Sequence, residues 1–570
     1  MYIKTMHLKG FRNFSDAQIV FAKQTLIIGS NDIGKTNLIY AMRLLLDKSL
    51  SEVDIEPSEL DFHIDSTGAQ ANEFEIIIHF SEVQQDAIIS QLPGRISDAE
   101  ETYFKFSAVR ETLQHKIFVG SSLANLEEIP ARYYLKYLNL RFVNSQRDLT
   151  KYIQTEKRHL LRLAQDNRTE AVMQADNKIL KKIGRGLNGI NQRVRNLNYV
   201  SAATGDLNTE LKALAHQNAN YSVQLDTGSI EVSQFIEKLE LAASSSGAKM
   251  MLGGDGRNNQ ILLALWKAKS TRDHDMDNEV VIFCVEEPEA HLHPHQQRKL
   301  ATYLISKLPG QSIVTTHSPQ IVANYQPDSI IRLLTKNGAT QAASGGCSSC
   351  IDAAWGDMGY RMSILPAESF FSSAVLLVEG PSEMLFYRML AAHLDIDLDY
   401  YNISILSVDG AQFEVYIKIL DAMDIPWSMR TDNDISDIST GPATAKIILR
   451  QLAGINRCRN LVGEPPLAHQ PMPYTHSDSL TDGAWSSTSA VINRLGIFLS
   501  KTDLEHDLAE ELPAEFALFK GTSELAIKYL QGKKAIRMRE FLSDPGVSLT
   551  GLGGGEVAKP LNFCVALTLI

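Results

Sequence analysis

Hydrophobic residues in this chain keep two rhythms, and the elements change where the rhythm changes. Near the start they alternate, at Tyr2, Ile3, Met6 and Leu8 and again around Ile19 to Phe21, which predicts two strands joined by a turn at Gly10–Phe14. Thr25 to Ile28 forms a third strand, and then the period lengthens to that of a helix at Leu38, Ile39, Met42, Leu45 and Leu46. Strands return between residues 72 and 145, at Phe74–Phe80, Tyr103–Ala108, Lys116–Val119 and Leu138–Val143. From about 149 to 246 the pattern is polar and helical, and a further apolar helix follows Gly253–Gly256 at Ile261, Leu262, Leu263 and Leu265. Val280–Val285 and Ser312–Thr316 read as buried strands. A Gly/Ser/Ala-rich stretch, Asn337–Cys350, marks a boundary. Beyond it, strands at Val375–Val378, Ile403–Val408 and from Ile425 alternate with helices at Leu385–His393 and Phe413–Met423. Ser436–Thr444 and Gly463–Ser489, the second with four prolines, read as loops. Strands alternating with helices predict an α/β chain built on parallel sheets.

A length of 570 residues gives room for two or three domains, with 44% hydrophobic and 21% charged residues, ordinary values for a soluble protein. No apolar run approaches the length of a membrane span, so no membrane partner is expected. Five cysteines do not make a disulfide framework, and the Cys347/Cys350 pair has no second pair at zinc-site spacing; a reducing cytoplasm is the expected setting. A net charge of −12 argues against coating nucleic acid indiscriminately. Locally the sign reverses: between Lys151 and Asn196 eleven Lys/Arg stand against four Asp/Glu. Such a run is a solvated helix face, an arm for DNA phosphates, or a dimerising helical pair.

The third strand runs into Gly29-Ser30-Asn31-Asp32-Ile33-Gly34-Lys35-Thr36-Asn37, which is G-x-x-x-x-G-K-T between a strand and a helix. In that setting backbone N–H groups wrap phosphate oxygens, Lys35 neutralises the β- and γ-phosphates, and the Thr36 hydroxyl ligates Mg²⁺. Val280–Val285 ends in Glu286-Glu287-Pro288-Glu289, the Walker B arrangement. Glu286 stands where a carboxylate holds the nucleotide's Mg²⁺ and Glu287 where one orients the attacking water. His317 directly follows the next strand and is placed to reach the γ-phosphate.

Further on, Val375–Val378 ends in Glu379-Gly380-Pro381-Ser382-Glu383. Gly380 and Pro381 stop the strand, Pro381 suits a helix start, and Glu383 falls near that helix N-terminus. The segment from Ile425 brings Asp432 and Asp434, two apart and therefore on one side if the chain is still extended. Hard oxygen ligands converging on one sheet edge describe a Mg²⁺ or Mn²⁺ site. Glu505 and Asp507 restore acidic character after Leu499, and a basic cluster follows at Lys533, Lys534, Arg537 and Arg539.

Two resemblances follow from these motifs. Residues 1–335 resemble the ATPase heads of the ABC, SMC and RecF type, with 149–246 as a helical insertion that serves as a dimerisation or DNA arm. Phe11-Arg12-Asn13-Phe14 and Thr315-Thr316-His317-Ser318-Pro319 strengthen that likeness. Glu286 in place of the commoner Asp, and a Gly253–Gly256 turn without the usual serine, depart from it. After a linker at 336–350, residues 351–570 resemble the Toprim (Rossmann-like) fold. The order head–linker–Toprim resembles the OLD (overcoming lysogenisation defect) family of nucleases. Asn31–Asn37, Glu379–Glu383, Thr431–Asp434 and Asp503–Leu508 bring it nearest to the nuclease subunits of bacterial Gabija anti-phage systems.

The resemblance implies a DNA endonuclease acting on double-stranded DNA and governed by ATP with Mg²⁺ bound at Asn31, Gly34, Lys35, Thr36, Asn37, Glu286 and His317. It implies two Mg²⁺ or Mn²⁺ ions in the Toprim half. Glu379, Asp432 and Asp434 would serve one, and Glu383 with Glu505 or Asp507 the other, with Lys534 or Lys533 on the scissile phosphate. It further implies a homo-oligomer, a dimer or tetramer, and a helicase-like partner protein. An ATP-driven DNA tether or repair protein with a non-catalytic Toprim half is the rival reading. A topoisomerase would need a nucleophilic tyrosine in a further domain.

Overall fold

Strand β1 (Tyr2–Phe11) buries Ile3, Met6, Leu8 and Phe11, and β2 (Phe14–Val20) returns antiparallel beside it. In this computed structural model the described residues are 1–144, 161, 164–166, 168–202, 205, 208–209, 242–245, 248–251, 279–290, 292–308, 310–343, 364–408, 410, 412–440 and 447–569. Lys157, Arg158, the Gly253–Gly256 turn, Cys347, Cys350 and Asp409 lie outside them.

After β3 (Gln24–Ile28) and helix α1 (Lys35–Leu46) come β4 (Glu73–Ser81), β5 (Thr102–Val109), β6 (Gln114–Gly120), β7 (Leu126–Ile129) and β8 (Leu138–Asn144). One antiparallel sheet takes the order β2-β1-β4-β5-β6-β7. Helix α2 (Glu170–Arg195) and a hairpin of β9 (Ala242–Ser245) and β10 (Ala248–Met251) belong to a separate unit, residues 145–274 and 290–292. The helical expectation for 149–246 therefore holds over α2 but gives way to a strand at Ala242. Lys181 and Lys182 are exposed on α2.

Within the other unit follow β11 (Val280–Glu286), α3 (Pro294–Lys307), β12 (Ser312–Thr315), β13 (Ile330–Lys336) and β14 (Ala339–Ala342). They complete a second sheet, β14-β13-β3-β12-β11-β8, parallel except for β14. Residues 336–342, expected as linker, are instead the end of β13 and a paired strand, because Asn337 and Gly338 take left-handed backbone and close a hairpin. The apolar stripe of α1 shares one core with both sheets, through Leu38, Met42 and Leu45 against residues such as Phe106, Ile27 and Leu138.

The second half carries β15 (Ala374–Val378), α4 (Pro381–His393), β16 (Ile403–Ser407), α5 (Phe413–Ala422) and β17 (Trp427–Thr431). Next come β18 (Ile435–Thr440), β19 (Ile447–Leu452), α6 (Ala453–Leu461), β20 (Gln470–Pro471), β21 (Ile497–Leu499), α7 (Leu504–Glu511), α8 (Lys534–Leu542) and α9 (Lys559–Thr568). Its parallel sheet has the order β16-β15-β17-β21. All five residues of β15 are fully buried, which explains the unbroken apolar run. The connection from β15 leads to β16 on one side, while β17 pairs on the other, so a crevice opens at the C-terminal ends of β15 and β17.

Two local expectations are corrected here. Residues 436–440 are not a loop but lie in β18, which pairs antiparallel with β19 while β20 lies on its edge; 441–444 lie outside the described residues. These half-exposed strands lack a clean apolar alternation, so the period gave no signal. Gly463–Ser489 contains helical turns at His476–Thr481 and from Ala484, started by caps at Thr475 and Gly483. The glycine-rich tail ends in α9, which covers the sheet through Leu561 and Cys564, and Ser428 Oγ donates to Pro560 O at 2.8 Å.

Candidate functional site

The nucleotide motif sits where the parallel sheet and its loops require it. β3 ends at Ile28, Asp32 adopts left-handed backbone, and α1 begins at Lys35. Gly34 has φ +104°, and a Cβ there would meet Asn13 Nδ2 at 1.9 Å, so only glycine fits. Asn13 donates to Ile33 O at 2.7 Å and Arg12 to Asn37 Oδ1 at 2.8 Å, while Asn37 donates to Asn13 Oδ1 at 2.8 Å. Asn37 is therefore turned toward Arg12 and Asn13, bracing the loop from behind, and not toward a ligand; only the fold could show that. Asn31 is exposed on the loop.

Lys35 is buried and donates to the carbonyls of Gly29 and Ser30 at 2.9 and 2.8 Å. Burial lowers its pKa, opposed by Glu287 and Glu289. Thr36 Oγ1 donates to Glu286 Oε1 at 2.5 Å, which joins the two side chains expected at the nucleotide's Mg²⁺. Glu287 has φ +44° and its carboxylate lies 3.1 Å from His317 Nε2. Burial lowers the His317 pKa, with Lys35 adding to that and Glu287 opposing. The motif reading overlooked Glu289, whose Oε1 accepts from Thr316 Oγ1 and from His317 N, both at 2.7 Å. It fixes the His317 backbone, and its Oε2 is buried without a hydrogen-bond partner.

The second site lies in the crevice of the other sheet. A cavity of about 200 Å³ is lined by Glu379, Glu383, Gly410, Asp432, Glu505 and Lys534, among others. Pro381 opens α4, and Glu383 turns back so that Gly380 N donates to its Oε2 at 2.7 Å. Its Oε1, Asp432 Oδ1 and Glu505 Oε2 are buried with no hydrogen-bond partner. Desolvation, then the charges of Asp432 and Glu379, push Glu383 up to about 8. Desolvation and Glu379 push Asp432 up to about 7 against the pull of Lys534, and burial also raises Glu505. Lys534 Nζ stands 3.6 Å from Asp432 Oδ2. Three carboxylates with bare oxygens, held against their own repulsion, fit a divalent cation as their missing partner. Among the described residues no three such side chains already stand at ligand spacing, so an ion would draw them closer.

Not every expected ligand joins this cavity. β17 stops at Thr431, so Asp432 and Asp434 do not share one extended face. Asp432 is buried, whereas Asp434 is half-exposed, does not line the cavity, and accepts from Arg457 at 2.5 Å. Asp507 is drawn away altogether. It accepts from Arg430 at 2.6 Å and lines a different cavity of about 390 Å³ with Trp485 and Glu511. Successive helical residues turn by about 100°, so Glu505 and Asp507 on α7 diverge. Asp503 caps α7, accepting from His506 N at 2.8 Å.

Two residues to which the motifs gave no role hold the site. Asn433 is fully buried, donates to Lys501 O at 3.0 Å and to Thr502 O through its backbone N at 2.9 Å, and so ties Asp432 to the turn before Glu505. Arg457 on α6 donates to Glu379 at 2.8 Å, to Thr431 Oγ1 and to Asp434. Position 457 carries no signal, and Asn433 stands in the Thr431–Asp434 motif without an assigned role; what they do exists only in three dimensions.

The two sites are connected through β13, the neighbour of β3. Arg332 donates to the carbonyls of Met423, Asp424 and Ser372 at 3.0, 2.9 and 3.2 Å, and Lys336 pairs with Asp424 at 2.8 Å. Met423 and Asp424 form the turn that leads into β17 and Asp432.

Comparison with known proteins finds matches in both halves of the chain. The profile described as "Overcoming lysogenization defect protein-like, TOPRIM domain" matches residues 370–434, and that of "AAA domain, putative AbiEii toxin, Type IV TA system" matches 25–323. The chain is 24% identical to Endonuclease GajA of Bacillus cereus over 95% of either chain. It is 23% identical to the OLD nuclease of Thermus scotoductus over 76% of this chain and 82% of the relative. A solved Smc head domain derived from Pyrococcus furiosus aligns with 64% of this chain and all of its own, at 17% identity and a TM-score of 0.38, too loosely to carry weight.

Proposed function

We propose that this chain, which belongs to the OLD-like family of proteins that join an AAA-type ATPase domain to a Toprim domain, is a metal-dependent endonuclease of double-stranded DNA under nucleotide control. The observation that carries the reading is the trio of bare, buried oxygens on Glu383, Asp432 and Glu505 beside Lys534. Glu379 and Asp432 are the residues to hold one Mg²⁺ or Mn²⁺, with Asp434 joining from the rim, and Glu383 with Glu505 the other. Bound there, divalent ions supply an acidified water and charge on the leaving oxygen of a phosphodiester. The chain's own contribution is placement: Asn433 fixes Asp432 against the Glu505 turn, and Lys534 presents a cation to the phosphate.

ATP is expected to bind across Lys35, Thr36, Glu286 and Glu287 and to regulate cleavage, because phosphodiester hydrolysis is downhill and needs no ATP turnover. The Arg332 clamp supports that reading by joining the strand beside the P-loop to the turn that carries Asp432. We read residues 1–335 as the regulatory head and 351–570 as the nuclease, in a cytoplasmic homo-oligomer serving anti-phage defence with a helicase-like partner. The test is nicking of supercoiled plasmid with Mg²⁺ or Mn²⁺, with and without ATP. Cleavage that resists EDTA, or survives Glu379→Gln, would sink the assignment; binding of DNA without cleavage would favour a tether.

A further inference from the structure

We propose that Arg457 is the built-in counter-ion of the nuclease site, which an incoming metal ion must displace and which then serves the DNA phosphate. The inference rests on the metal-site reading above. Helix α6 begins directly behind the acidic loop. Gly454 N donates to Asp434 O at 3.0 Å, and a Cβ on Gly454 would meet Asp432 O at 2.5 Å and the Asn433 Cα and Asp434 N at 2.7 Å. Only glycine allows this approach, and it fixes where the helix points. One turn later Arg457 crosses the rim, with one guanidinium nitrogen on Glu379 and the other on Asp434.

Its two arms separate the carboxylates of the site into two classes. Glu379 and Asp434 are already neutralised by a protein cation, while Glu383, Asp432 and Glu505 keep a bare oxygen each. Arg457 remains charged under all working conditions and cannot yield by losing its proton. It can yield only by moving. An ion that takes Glu379 Oε1 must therefore break a charge-assisted pair, and the guanidinium it frees has a planar fork suited to two phosphate oxygens. The side chain is 16% exposed, so part of it faces solvent. Lys534 stands at the Asp432 edge, and DNA would be gripped from two sides.

The prediction is a crossed phenotype. Arg457→Ala should bind Mn²⁺ roughly tenfold more tightly, since the competing pairs with Glu379 and Asp434 are removed, and yet cleave at least tenfold more slowly at saturating Mn²⁺. Arg457→Lys, which keeps charge without the fork, should bind Mn²⁺ near the wild-type level and cleave at an intermediate rate. Mn²⁺ binding is read by calorimetry or by electron paramagnetic resonance on the full chain, without DNA. Unchanged or weaker Mn²⁺ binding by folded Arg457→Ala, judged by its melting temperature and circular dichroism, overturns the counter-ion role. Tighter Mn²⁺ with undiminished cleavage overturns the phosphate role. Glu379→Gln separates the two levels of the argument: if wild type and Glu379→Gln bind Mn²⁺ alike, the metal site itself is misplaced and the proposal falls with it.

Discussion

If Asp432 and Glu383 are metal ligands, an ion can bind only by expelling the protons that their surroundings hold on them. Burial, then the charge of Asp432 and Glu379 on Glu383 and of Glu379 on Asp432, place Glu383 at about 8 and Asp432 at about 7, against about 4 for free carboxyls. The pair titrates in two coupled steps. Below about pH 7 each of the two ions displaces one proton, from Asp432 at one position and from Glu383 at the other; between about 7 and 8 only the ion at Glu383 does, and above that neither. Affinity for the ion at Glu383 should then climb about tenfold per pH unit from 6 to 8, and for the ion at Asp432 about tenfold from 6 to 7, roughly 4 kcal/mol over the two.

Stability has the opposite slope. A raised carboxyl favours the folded chain fully below its unfolded pKa, and that advantage is lost as pH rises toward the folded values near 7 and 8. Chelated protein should therefore melt at a lower temperature at pH 8.5 than at pH 6, and Mn²⁺ should restore more at the higher pH. Calorimetric Mn²⁺ titrations at pH 6, 7 and 8, each in two buffers of different ionisation enthalpy, count the released protons directly. A dissociation constant that is flat over this range, or no proton release at pH 6, refutes the reasoning.

Four further outcomes are expected. Glu379→Gln and Asp432→Asn should each abolish plasmid nicking, and the double variant should be no worse than either, because the ligands act as one unit. Asp507→Ala should lower stability by about 3–5 kcal/mol in denaturant titration by stranding the buried Arg430, while Glu505→Gln should cost little stability and most of the cleavage. Lys35→Ala should lose nucleotide binding by equilibrium dialysis and retain metal-dependent nicking that ignores added ATP; loss of nicking at every ATP concentration would mean that the head drives cleavage. Arg332→Ala should keep both ATP binding and nicking yet blunt the effect of one on the other, measured as the nicking rate across an ATP titration.

The sequence by itself determined the parts whose signal is local. A P-loop needs glycine, lysine and threonine at fixed spacing, and Gly34 shows why, since its neighbour Asn13 leaves no room for a Cβ. A buried parallel strand needs an unbroken apolar run, so β11 and β15 and the carboxylates that end them could be read from periodicity alone. Lys534 was legible as part of a basic cluster, though its 3.6 Å approach to Asp432 was not. What the tertiary structure decided is which neighbouring residues share a cavity. Glu505 and Asp507 are equivalent in a string of letters, but a helix turns them apart, one to the bare carboxylates and the other to Arg430. Asp434 follows Asp432 by two, but β17 ends between Thr431 and Asp432, and the expected shared face ends with it. Asn37 belongs to the nucleotide motif yet braces Arg12 and Asn13. Arg457 had no motif at all and Asn433 stood in one without a role, because periodicity reports only neighbours along the chain. Their partners, Glu379 and Lys501, lie 78 and 68 residues away.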